Sequence, residues 1–167
     1  MAAGDPYVGT ITDRYLKSFL ESDALLAIYG PGGAWPERPP DDWQRPCVRW
    51  WERIAGRPDF VQDGRLTRVQ SNPEYVVCML DVQTPEQVDR IYGTAGSKLD
   101  PQQPYMELGA LRIYSLLHNR QADFEGYSFY SYINGDSVRG QGYPGGDSTS
   151  LGNYEVYSGF VVQFRIT

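Results

Sequence analysis

The side chains able to do covalent or acid–base chemistry are few, and their spacing does not suit it. The only histidine is His118, so every histidine-dependent triad has to run through it. It stands near the end of a helical stripe, where an imidazole ordinarily interacts with the terminal carbonyls. Ser148, in Gly146-Asp147-Ser148, has no histidine after it to act as its base. Cys47 and Cys78 lie far apart and, with one histidine, do not reproduce zinc spacing; Asp41-Asp42 lacks the oxygen ladder of a calcium loop. Gly30-Pro31-Gly32-Gly33 lacks the Lys-Ser/Thr ending of a phosphate cradle and follows a helix instead of a strand. The 21 acidic residues are scattered, so a carboxylate pair is not legible. No catalytic, cofactor-binding or metal-binding residue is assigned, and the expectation is a protein that is not an enzyme and carries no cofactor.

What remains is contact chemistry. Aromatic residues make 14% of the 167 positions, beside 18 Gly and 12 Pro, a composition that favours strands, turns and binding surfaces. Exposed aromatic rings also suit a carbohydrate- or protein-binding module, but Trp50 and Trp51 are consecutive in a strand and must point to opposite faces. A formal charge of −6 has the wrong sign for broad binding to a phosphate backbone. No run approaches the roughly 18 apolar residues of a membrane-spanning helix. The opening Met-Ala-Ala-Gly-Asp-Pro-Tyr has neither the basic run nor the apolar stretch of a signal peptide, so an intracellular product is expected. The two cysteines, set in apolar runs, are expected to be buried thiols.

The elements that must position any contact residues follow from periodicity. Residues 10–27 carry Ile11, Tyr15, Phe19 and Leu26 at helical spacing, with Thr10 as cap and Asp13 in the first turn. The proline-rich stretch 30–46 predicts an irregular connection pinned by Trp35 and Trp43. Strands are expected over 47–54, 65–70 and 75–83, the last apolar on both faces and therefore central. Thr84-Pro85-Glu86-Gln87 predicts a short helix start, and Met106, Ala110, Ile113 and Leu117 predict a helix over 105–119.

The C-terminal part predicts strands over 127–133 and 154–166. In the last, Tyr154, Val156, Ser158, Phe160, Val162, Phe164 and Ile166 alternate with a more polar set. Between them, residues 134–153 contain six glycines and predict a long extended loop; drawn out as a hairpin arm it reaches about 30 Å at about 3.3 Å per residue. Its glycine content predicts that it orders on assembly. The layout over 1–167 is a single α+β domain, a mixed, mostly antiparallel sheet with helices packed on it.

This order of features resembles the tail terminator (tail completion) proteins of long-tailed bacteriophages. The resemblance lies in Tyr15-Leu16-Lys17-Ser18-Phe19-Leu20-Glu21-Ser22-Asp23-Ala24-Leu25-Leu26 with Ile28-Tyr29-Gly30, then Arg45-Pro46-Cys47-Val48-Arg49-Trp50, and finally Gly152-Asn153-Tyr154 leading to Phe164-Arg165-Ile166. Two features depart from it: the helical region is split by residues 93–104, and the segment 134–153 is longer than the pattern needs. Another neck or adaptor protein of the virion fits these equally well.

The resemblance implies a structural virion protein of the tail or neck, assembled in the host cytoplasm. Its copies would form a homo-oligomeric ring, of about six, at the head-proximal end of the tail tube. Its partners would be the tail tube protein and the head–tail connector, with DNA passing through without specific binding and no membrane involved. Loop length and aromatic exposure then place the inter-subunit or partner contacts at Trp35, Trp43, Asp136, Arg139, Tyr143, Asp147, Glu155, Tyr157 and Arg165.

Overall fold

The computed structural model describes residues 10–37, 39, 44–54, 58–61, 65–70, 72–83, 103–142 and 154–167. The first helix, α1 (Ile11–Glu21), begins where a capping box forms: the Asp13 amide donates to Thr10 Oγ1 and the Thr10 amide to Asp13 Oδ2, both at 3.2 Å. Its buried stripe is Ile11, Tyr15, Leu16 and Leu20. The single helix expected over 10–27 is in fact two. The Ser22 hydroxyl donates back to the Phe19 carbonyl at 2.7 Å, and Asp23 caps a second helix, α2 (Ala24–Tyr29), by accepting the Leu26 amide at 3.0 Å. Serine and aspartate side chains that bond to nearby backbone offer the chain an alternative to continuing the helix, and here two in succession take it.

The proline-rich connection is less irregular than its composition suggests. It contains strand β1 (Ala34–Pro36), which pairs in parallel with β2 (Cys47–Ile54) through Ala34↔Val48 and Trp35↔Arg49. Gly33, at φ +84°, makes the turn into it. As an edge strand ending in proline, β1 loses no ladder bond to the missing N–H.

The main sheet has the order β1-β2-β5-β8-β7-β6, all pairs antiparallel except β1–β2. Strand β5 (Glu74–Gln83) is central, as its doubly apolar run predicts: Tyr75 through Leu80 are all buried. It is flanked by β2 and by β8 (Tyr154–Ile166). A separate hairpin pairs β3 (Pro58–Val61), which the sequence does not announce, with β4 (Arg65–Gln70).

Helix α3 (Gln103–Leu117) lies over β5, β8 and β7, and its buried face is Met106, Ala110, Ile113, Leu116 and Leu117. Gly109 lets it approach closely, since a Cβ there would run into the Met79 side chain. After α3 the chain forms the edge hairpin of β6 (Arg120–Phe124) and β7 (Tyr127–Gly142). The turn residues Glu125 and Gly126 both have positive φ, 48° and 82°, the geometry of a two-residue turn matching strand twist.

Strand β7 alters the expectation for the glycine-rich segment. Its ladder with β8 shifts register between Ile133 and Ser137, then resumes and runs to Gly142↔Glu155. Residues 134–142 thus lie in sheet, because a bulge absorbs Asn134-Gly135-Asp136 and lets pairing continue. Residues 143–153, Trp43 and the helix expected from Thr84 lie outside the described residues.

The architecture is α+β, with helices on one face of a mixed, mostly antiparallel, curled sheet. The core lies between layers: Tyr15, Leu16 and Leu20 of α1, Leu26 of α2 and the α3 stripe meet Trp50, Tyr75, Val77, Met79, Phe129, Ile133, Val162, Phe164 and Ile166 of the sheet. Among the described residues, no helix is long and apolar enough to cross a membrane.

Candidate interaction surfaces

Alternation along the strands leaves a second face pointing away from the helices. Near its middle, Val76, Cys78 and Val161 are buried, with Trp51, Val138 and Tyr157 packed around them; Trp51 and Tyr157 meet edge to face at 5.6 Å. Trp50 and Trp51 do point to opposite faces, Trp50 into the main core and Trp51 into this small outer cluster. Gly159 sits between Cys78 and Val138 in the ladder, and a Cβ there would collide with the Val77 carbonyl and Cys78. Both cysteines are buried free thiols, as expected.

At one end of this outer face the surface opens into a groove of about 540 Å³ lined by Ile54, Asn72, Pro73, Glu74, Tyr130, Tyr132, Gln163, Phe164 and Arg165. Register places these residues: Tyr130 is opposite Arg165, Tyr132 opposite Gln163, Gln163 opposite Glu74, and Glu74 opposite Ile54. Ile54 is 53% exposed, and both tyrosines stand partly in solvent. Tyr130 is held by a hydrogen bond from its hydroxyl to Asn119 Oδ1 at 2.8 Å, and Glu74 by Arg53 at 3.3 Å. Arg165 is exposed and makes no ion pair among the described residues.

The helix layer carries a second open surface. Besides its buried stripe, α3 places Tyr105, Leu108 and Leu111 outward at three-residue spacing, and α2 adds Leu25 and Ile28. Leu111 is 62% exposed and Ile28 60%. A helix apolar on nearly every side is normally covered on every side. The two helices are fixed to each other by Arg112, whose Nε and Nη2 reach the Asp23 carboxylate at 3.0 and 2.7 Å, and by Tyr29 against Tyr105 at 6.2 Å. That guanidinium, with the Leu26 amide, holds the Asp23 carboxyl below its ordinary range.

Among the described residues, the contact residues expected from sequence do not gather in one place. Trp35 is used within the subunit: its indole donates to the Gly32 carbonyl at 2.7 Å and Lys17 Nζ lies 3.7 Å over its ring, which does pin the connection. Tyr157 is half-buried in the outer cluster. Arg165 lies on the same face, eight residues further and so roughly 25 Å away. Arg139, exposed, pairs opposite Ser158 and so alternates to the other face. Asp136 is in the β7 bulge and Glu155 in the β8 ladder, both with side chains outside the described residues, as are Trp43, Tyr143 and Asp147 altogether. The open residues that sequence reasoning missed are Ile54, Tyr130 and Tyr132 in the groove and Leu25, Ile28, Leu108 and Leu111 on the helices. The helical ones had a signal: α3 carries more apolar positions than one buried stripe uses.

His118 has a structural partner other than the helix-end carbonyls expected for it. The Ile133 amide donates to its Nδ1 at 3.3 Å, and its ring sits between Tyr114 and Tyr132 at 4.8 and 5.1 Å. Asp81 is fully buried with Arg45 Nη1 at 3.7 Å. Among the described residues, no three His, Cys, Asp or Glu side chains converge as a metal site would require. Compared with known proteins, the chain matches no family model, no curated protein sequence and no solved structure.

Proposed function

We propose that this protein is a structural subunit of a phage virion, of the tail-terminator kind, whose copies close into a ring at the head-proximal end of the tail tube and join it to the head connector. The observation that carries the reading is the pair of unlike open surfaces on opposite sides of the subunit, the α2–α3 ridge and the outer sheet groove. A ring needs heterologous contacts, one surface of each copy meeting a different surface of the next, and a chain with two such surfaces is built for that. The α+β architecture is the one the resemblance implies, and a net charge of −6 suits a conduit that repels the phosphates of passing DNA.

Native mass measurement of the purified chain, followed by electron microscopy alone and with tail tubes, tests this. The expected result is a ring of about six that caps tubes at one end. A chain that stays monomeric at every concentration and captures a glycan on Tyr130 and Tyr132 would instead make the groove a carbohydrate site.

A further inference from the structure

We propose that copies of this chain join head to tail, the α2–α3 ridge of one copy seating in the groove at the Tyr130–Arg165 end of the next copy's sheet. This rests on the ring reading and names the two faces that form the contact. The ridge is apolar and exposed at Ile28, Leu108 and Leu111; the groove is lined in part by Ile54, Tyr130 and Tyr132. They lie on opposite sides of the layered subunit, so neither can cover the other within one copy.

Charge selects the occupant. Glu107 is exposed on the ridge beside Leu108, one turn before Leu111, and Arg165 is exposed in the groove; neither has an ion-pair partner among the described residues. The other charged residue lining the groove, Glu74, is already paired with Arg53 outside the lining, so Arg165 is the unpaired charge there. Head-to-tail docking brings Glu107 towards Arg165. A two-fold dimer through the ridge gathers two Glu107 carboxylates in one interface, and one through the groove gathers two Arg165 guanidiniums, with no opposite charge supplied by the partner and the other apolar face left open.

The test uses the full chain and three surface variants, with circular dichroism and thermal melting to confirm that each is folded. Leu111→Asp damages the ridge and spares the groove; Arg165→Glu does the reverse; Glu107→Arg combined with Arg165→Glu exchanges the charges. Sedimentation and native mass measurement should show the wild type as an oligomer and each single variant weakened by about tenfold or more. The double exchange should restore the oligomer. Mixing Leu111→Asp with Arg165→Glu should give a dimer of one copy of each and nothing larger, because the pair shares one intact ridge, one intact groove, and only damaged faces outward.

Wild-type oligomers that persist unchanged in both single variants would overturn this interface while leaving the ring reading standing. A wild type that is monomeric at all concentrations would overturn both. An oligomer lost in only one of the two single variants, with no complementation on mixing, would overturn head-to-tail docking in favour of a two-fold contact through the damaged face.

Discussion

The indole N–H of Trp50, fully buried in β2, donates to Asp13 Oδ1 at 2.8 Å, while the other oxygen of the same carboxylate closes the capping box of α1. One side chain thus ends the helix correctly and ties it to the sheet. Without the carboxylate, the Thr10 amide loses its acceptor in the capping box and the buried indole N–H is left without its partner.

Asp13→Ala should therefore destabilise the fold by about 2–4 kcal/mol, combining the lost acceptor of the Thr10 amide with an unsatisfied buried indole. Trp50→Phe, which gives up the indole but leaves the cap intact, offers a comparison, although it also removes buried volume. Urea unfolding of both variants checks this; an Asp13→Ala loss below about 0.5 kcal/mol would show that water replaces the carboxylate.

Asp23 predicts a pH dependence. Its carboxyl titrates below its ordinary value because Arg112 and the Leu26 amide favour the charged form. A depressed folded value means the stabilisation is fully present above the unfolded pKa of about 3.9 and is lost as pH falls through the lower folded value. Asp23→Asn should cost about 1–2 kcal/mol at neutral pH and flatten the stability profile between pH about 4 and the acid limit. Thermal melts from pH 7 to pH 2 read this out, and parallel profiles for wild type and variant would contradict it.

Two glycines should respond unequally to alanine. At Gly159 the new methyl meets the Val77 carbonyl and the Cys78 backbone, which cannot move without separating β5 from β8. At Gly109 it meets only the flexible Met79 side chain, and the helix gains propensity. Gly159→Ala should cost about 3 kcal/mol or prevent folding, against about 1–2 kcal/mol for Gly109→Ala. Soluble yield and denaturation midpoints decide the order, and a costlier Gly109→Ala would reverse the argument.

His118→Leu keeps the ring site filled but leaves the Ile133 amide without an acceptor, for an expected loss of about 1–3 kcal/mol. Hydrogen exchange at Ile133 should speed up more than at Phe129, which the ladder holds independently. Equal changes at both would mean that the whole edge loosens instead.

Much of the fold was legible in the chain because it follows from local periodicity. The alternation of Val156, Phe160, Val162, Phe164 and Ile166 marks the core face of β8, and the unbroken apolar run from Tyr75 to Leu80 marks a central strand covered on both sides. Thr10 and Asp13 announce a helix start through a bond only three residues long. The break at Ser22-Asp23 was written in capping residues too, but it competes with a continuing apolar stripe, and Arg112, far along the chain, holds Asp23 in place.

The surfaces were decided by tertiary structure. Whether an apolar residue is core or contact depends on what is stacked over it: Ile113 and Leu111 differ little as residues, yet the sheet covers one and leaves the other 62% exposed. Trp35 was spent inside the subunit because Lys17, eighteen positions earlier in the chain, happens to arrive over its ring. The groove at Tyr130 and Arg165 exists only because β2, β5, β8 and β7 lie side by side in one register, a long-range pairing that periodicity within any single segment does not encode.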